Sequence, residues 1–178
     1  MSTATIDATS KVLVWQGEVA IVTFLKAPGF CTIRSETSDN DKSFPSLVGT
    51  SALEIKLKNA GAAGSLTNFE AQIHTSGEPA QFGEGSYSAK FTVMADKSEI
   101  QTVLISWSDF VFTWRGQKEE GPPMMDQLNK ITRIGLGSSG VAGIFDLHLM
   151  SFSAMASISV PYIREPPPHD QVAARARW

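Results

Sequence analysis

The sequence predicts an all-β domain, an antiparallel β-sandwich or jelly roll. Short apolar runs separated by turn residues recur along the chain, and helical periodicity is nearly absent. The clearest runs alternate apolar and polar residues with a period of two, the pattern of a strand with one buried face. About eight or nine such runs, with no helix of useful length between them, fit two packed antiparallel sheets.

Each run has its own warrant. VLVWQGEVAIVTF (12–24) is rich in β-branched residues and carries Gly17, so it reads as two strands around a turn. In GFCTIRSE (29–36), Phe30, Thr32 and Arg34 point one way, Cys31 and Ile33 the other. SALEIKLKNAG (51–61) sends Leu53, Ile55 and Leu57 inward and Glu54, Lys56 and Lys58 outward. NFEAQIHT (68–75) continues the pattern through Phe69, Ala71 and Ile73. YSAKFTVMAD, IQTVLISW, KITRIGLG and GIFDLHLMSFSA complete the main series, and SISVPYI (157–163) reads as one further edge strand ended by Pro161. The only helical stretch is MMDQLNKI after Pro122-Pro123, one or two turns long, since prolines open a helix but do not continue one. GLGSSG (135–140) follows a strand, opens no helix and lacks a lysine, so it reads as a hairpin turn and not as a phosphate loop.

Composition bounds the rest. The 178 residues suit one domain that buries roughly 70% of its unfolded surface. The expected organisation is a flexible N-terminus over 1–10, one β-sandwich domain over 11–163 and a Pro-led tail over 164–178. A net charge of −3 without a basic stripe speaks against nucleic acid. A single cysteine, Cys31, cannot build an internal disulfide framework, so a reducing compartment is expected. The start, MSTATIDATSKVLVW, lacks the features of a secretory or Arg-rich mitochondrial leader and reads as cytoplasmic. The most apolar long window, near 139–163, is broken by Asp146, His148 and serines, so no membrane span is expected.

Several segments together resemble one known family. FTVMADKSEIQTVLISWSDFVFTWRGQ, PPMMDQLNKITRIGLGSSG and GIFDLHLMSFSA, preceded by GEVAIVTFLKAPGFCTIRSE and YSAKFTVM, are similar in order and content to the complex I intermediate-associated protein 30 family over roughly residues 11–154. The resemblance implies a galactose-binding-like β-sandwich, akin to some carbohydrate-binding modules, in which one outer sheet face is concave and often binds ligand. It also implies an assembly-factor role and a mitochondrial location for founding members. The Asp-Gly…Met-Gly-Gly segment that precedes the first strand in the family has no counterpart in these residues, so its role is not carried over.

Two site candidates follow. The first is SWSDFVFTWRG (106–116). Here Trp107 ends an alternating strand, Asp109 is placed to satisfy backbone N–H groups at a corner, and Trp114 and Arg115 close the far side. Packing of a sheet corner outweighs a ligand site built from Trp107, Asp109, Trp114 and Arg115, because burial is the commoner use of such aromatics. The second is the outward side of the strands. With Phe69, Ile73, Phe91, Val93, Val103, Ile105, Phe145, Leu147 and Leu149 inward, the outward set holds Glu70, Gln72, His74, Lys90, Thr92, Met94, Thr102, Leu104, Asp146, His148 and Met150, joined by Arg34 and Arg133. An apolar floor (Met94, Leu104, Met150) among hydrogen-bonding groups suits a small-molecule groove. It equally suits the solvated face of a sandwich.

No metal-ligand spacing, nucleophile elbow or cofactor motif is present, so no cofactor is expected and Cys31 reads as a core residue. The leading functional reading is a non-enzymatic binding or assembly-factor-like module with a protein partner or a small hydrophobic ligand, compatible with oligomers. The alternative is a small cofactor-independent cyclase or isomerase using His74, His148 and Asp146. Carbohydrate binding would call for exposed aromatic platforms, for which Trp15 and Trp114 are the candidates.

Overall fold

The computed structural model describes residues 2–7, 9–35, 44–76, 85–95 and 99–156. They form two antiparallel sheets packed face to face, the sandwich that alternation predicts. The five-stranded sheet contains β1 (Ser2–Asp7), β2 (Val12–Val19), β13 (Gly143–Ala156), β6 (Thr50–Asn59) and β9 (Gln101–Ser106), in that order. The six-stranded sheet runs β11 (Gln117–Lys118), β10 (Val111–Trp114), β8 (Ser86–Thr92), β7 (Asn68–Thr75), β12 (Ile131–Ser139) and β5 (Phe30–Arg34). A separate two-stranded hairpin joins β3 (Ile21–Val22) to β4 (Ala27–Pro28). All strand pairings are antiparallel, and the helical content among the described residues is two 3₁₀ turns, Trp107–Asp109 and Met124–Gln127. The second is the short turn expected after the proline pair.

The core follows the inward register. Phe69, Ala71 and Ile73 of β7, Phe91 of β8, Leu53, Ile55 and Leu57 of β6, and Phe145, Leu147 and Leu149 of β13 are all buried. Trp15 lies at its centre, with ring centroids 4.5 Å from Phe145 and 6.2 Å from Phe69. Trp15 is therefore core and not an exposed platform. A second aromatic group closes the other end: Trp107 against Phe110 at 5.7 Å and Tyr87 against Phe112 at 5.3 Å. Cys31 is buried in β5, as its alternation implies.

Four expectations are corrected. Gly17 does not break its strand. β2 runs unbroken to Val19 because its register is held by β1 on one side and β13 on the other, and the chain departs only at Ala20. Ser2–Asp7 are not a flexible arm but an edge strand paired with Val12–Gly17. GLGSSG is mostly strand: residues up to Ser139 pair with β5, and the chain then crosses from one sheet to the other at Gly140, whose φ of +78° suits a residue without a Cβ. At the Trp107 corner the backbone N–H of Ser108 goes to Ser106 Oγ, a role expected of Asp109, which is exposed. SISVPYI and the tail over 164–178 lie outside the described residues.

Candidate functional site

Alternation fixes which side chains face outward but not from which sheet, since both sheets of a sandwich have an outer face. The outward set therefore divides. Glu70, Gln72 and His74 of β7, Lys90 and Thr92 of β8, Arg133 of β12 and Arg34 of β5 lie on the six-stranded sheet. Asp146, His148 and Met150 of β13, and Thr102 and Leu104 of β9, lie on the five-stranded sheet. His74 and His148 thus stand on opposite outer faces and cannot form one acid–base pair. Met94 follows the end of β8, where the Gln101 side chain bridges its N–H (2.7 Å) and its carbonyl (2.9 Å).

The six-stranded face holds a groove of about 510 Å³. Its floor is built row by row from strand register. Lys90, Glu70, Gly137 and Thr32 lie side by side on β8, β7, β12 and β5, and Ser88, Gln72, Gly135 and Arg34 form the next row. The glycines make the dip: with no side chains on β12 at those two positions, the floor sinks between β7 and β5. Gln72 fills part of the space, donating from Nε2 to Glu70 Oε1 at 2.9 Å. A Cβ at position 137 would come within 2.8 Å of that same Nε2. Ser88 Oγ and Thr113 Oγ1 are 3.0 Å apart toward β10, which extends a polar floor to the far wall.

The walls differ in chemistry. On the β5 side stand Phe30, 75% exposed, and Arg34. On the β10 side stands Arg115, whose guanidinium lies 4.4 Å from the Trp114 ring centroid. Arg115 opens the β10–β11 turn with φ +49°, followed by Gly116 at +77°, and both residues line the groove. A recess of about 380 Å³ continues the groove past Glu70 and Lys90 to Val141. Of the residues proposed from sequence, the groove gathers Arg34, Glu70, Gln72, His74, Lys90 and Arg115. It leaves out Asp146, His148, Met94, Leu104, Met150, Trp107, Asp109 and Trp114.

Trp107 is fully buried and donates from Nε1 to Thr50 Oγ1 at 2.9 Å, a packing role. Phe30, Thr32, Ser86, Thr113 and Gly137 line the groove without having been singled out. Phe30 and Thr32 share the alternation of Arg34, and two glycines spaced by two within KITRIGLG place both gaps on one face.

On the opposite sheet His148 Nε2 lies 3.3 Å from Asp146 Oδ1, beside a shallower recess of about 400 Å³ that Val12, Val14, Lys58 and Met150 help to line. No cluster of three potential metal ligands occurs among the described residues. None of their helices is long and apolar enough to cross a membrane.

Residues 1–149 match the family described as Complex I intermediate-associated protein 30. The chain belongs to that family. Among curated proteins none matches its sequence. This family member is similar in fold to a solved structure described as PfGH50B (15% identity, TM-score 0.58, 89% of this chain and 22% of that one). It is also similar to an agarase, AgWH50C (11%, 0.57, 88% and 23%). A third similar structure is a family 11 carbohydrate-binding module from Clostridium thermocellum, in complex with a β-1,3-1,4-mixed-linked tetrasaccharide (13%, 0.53, 88% and 82%). The chain spans less than a quarter of the first two, and about four fifths of the third. At these identities the likeness is one of fold: the complex I intermediate-associated protein 30 domain is an antiparallel β-sandwich.

Proposed function

We propose that this domain is a non-enzymatic binding module whose groove on the six-stranded sheet takes an extended, hydroxyl-rich ligand, an oligosaccharide. The observation that carries the reading is the floor itself. Glu70, Gln72, Lys90, Ser86 and Thr113 offer acceptors and donors along a shallow trough deepened by glycines, and Phe30 offers an exposed ring at its rim. Sugar hydroxyls need such dense bidirectional hydrogen bonding, and a sugar's C–H face packs on an aromatic ring. The presence of a tetrasaccharide complex among structures of the same fold supports the choice of ligand class. Calorimetry with the full chain and a panel of soluble oligosaccharides tests it. Gln72→Ala and Lys90→Ala should each weaken binding at least five-fold, whereas His148→Ala, on the opposite sheet, should leave it unchanged. Equal loss in all three variants, or no binding by folded protein, would remove the groove from the account.

An assembly-factor-like role, docking a protein partner, rests on a different surface. The β3–β4 hairpin exposes Ile21, Phe24 and Leu25, and Val141 and Ile144 are exposed at the same end, where Ile144 pairs with Glu18 at the close of β2. A clustered apolar end of this kind is the usual mark of a protein contact. A catalytic alternative draws on His148 and Asp146 alone, with His74 out of reach. It requires turnover that His148→Ala abolishes without loss of fold.

A further inference from the structure

We infer, building on the sugar-binding reading above, that the floor of the groove recognises two adjacent hydroxyls of one sugar ring. It therefore selects oligosaccharides whose internal rings keep a free vicinal diol over those whose linkages consume one.

Two side chains of β7 hold each other in place. Glu70 and Gln72 are two residues apart on the strand and face outward together. Gln72 Nε2 donates to Glu70 Oε1 at 2.9 Å. A carboxylate oxygen only accepts, so this bond fixes which end of the amide is nitrogen and which is oxygen. Among the described residues, that amide is the one hydrogen-bond partner of the Glu70 side chain. Glu70 Oε2 and Gln72 Oε1 are left as two acceptors in a fixed relation to each other.

Gly137 gives the amide its seat. A Cβ at position 137 would lie 2.8 Å from Gln72 Nε2, 3.3 Å from Cδ and 3.8 Å from Oε1. The amide thus lies over the gap left by the missing side chain, and its carbonyl oxygen is the farthest of the three atoms from the floor. That orientation offers the oxygen to a ligand in the groove.

A donor stands beside the acceptors. Lys90 pairs in register with Glu70, is exposed, and lines both the groove and the recess that continues it. A sugar hydroxyl both donates and accepts. One hydroxyl can donate to Glu70 and accept from Lys90 while its neighbour on the ring donates to Gln72 Oε1. Hydrogen bonds to charged groups are the stronger kind. A linkage oxygen has no hydrogen to give, so a ligand that places one here leaves an acceptor desolvated and unpaired.

Phe30 sets the length of the ligand. It lies two strands from Glu70, across β12 on β5, and two residues further along than Thr32 in the Glu70 row. Offsets of about 10 Å across the strands and about 7 Å along them separate the two backbone positions by roughly 12 Å. The ring that packs on Phe30 and the ring that meets Glu70 and Gln72 are therefore different units of one chain.

Calorimetry on the full chain tests this with three neutral probes. Cellotetraose and xylotetraose have linkages that leave two adjacent hydroxyls on every ring, whereas those of laminaritetraose take one of that pair on each internal ring. Both diol-bearing probes should bind at least ten-fold more tightly than laminaritetraose. Glu70→Ala should bring that ratio within two-fold of one, and Gln72→Ala should lower it at least three-fold. Thermal melts of both variants should match the parent, because both side chains lie on an outer sheet face. Equal affinity of the parent for all three probes overturns the inference and leaves the sugar-binding reading intact. A preference that survives Glu70→Ala in folded protein reports the shape of the chain and overturns it as well. Tight binding of cellotetraose without xylotetraose does the same, since it places recognition on the hydroxymethyl group. If the folded chain binds none of the three, the inference and the reading beneath it fall together.

Discussion

Two residues show how differently a similar sequence context can be used. Trp107 and Trp114 sit seven positions apart in one aromatic-rich run. Trp107 is sealed in the core with its Nε1 bonded to Thr50, and Trp114 is half-buried beneath Arg115. Truncating Trp107 to Ala should cost about 3–5 kcal/mol, the range for losing a large buried aromatic. Denaturant unfolding reads this directly, and a midpoint equal to the parent's would contradict the packing role. The glycines of β12 form a second contrast. A Cβ on Gly135 would meet the backbone carbonyl of Ile33 at 2.5 Å, whereas one on Gly137 would meet only the end of the flexible Gln72 side chain. Gly135→Ala should therefore destabilise the protein by about 1–3 kcal/mol through the β5 pairing, as overpacking does. Gly137→Ala should leave the melting temperature near the parent's but turn Gln72 away from Glu70 and weaken ligand binding. The difference between these variants separates floor from frame.

At the scale of elements, the ends of strands carry the special features. The β1–β2 turn is held by Asp7, whose carboxylate accepts from the N–H of Thr9 at 2.9 Å and of Ser10 at 3.3 Å. The Thr9 N–H first, and then Ser10, hold this carboxyl below the usual carboxylate range. A folded-state value below the unfolded one means the contribution is present above the unfolded pKa of about 3.9 and is lost as pH falls through the folded value. The protection of β1 amides relative to their intrinsic exchange should accordingly fall below about pH 4 while β6 and β7 stay protected, and Asp7→Asn should remove that pH step. The β3–β4 hairpin makes the opposite case, an element that leaves Ile21, Phe24 and Leu25 exposed. Replacing Phe24 and Leu25 with Ser should change stability by no more than about 0.5 kcal/mol. It should also reduce self-association at high concentration, measured by light scattering.

For the whole molecule, two sheets and their inward register were legible because period-two alternation in segments such as SALEIKLKNAG and NFEAQIHT maps directly onto burial. The groove was legible only in part. Arg34, Glu70, Gln72, His74 and Lys90 were readable as outward, but which sheet each strand joins depends on pairings between residues far apart in sequence. Gln72 neighbours Gly135, whereas His148 neighbours Val14. Local pattern holds no record of that partition, so alternation alone does not tell the two outer faces apart. Pattern alone ends β12 too early for a related reason: glycines signal turns unless a neighbouring strand requires their smallness.

That long-range partition also bears on how the protein is made. β13 lies between β2 and β6, so the sheet's first and middle strands wait for its last one. A chain stopped before residue 143 would hold two apolar strand edges with nothing between them, and should show no cooperative melt by circular dichroism. During synthesis, then, most of this domain leaves the ribosome before its central seam can close. Until the final strand is made, the facing edges of β2 and β6 have no partner in this sheet between them.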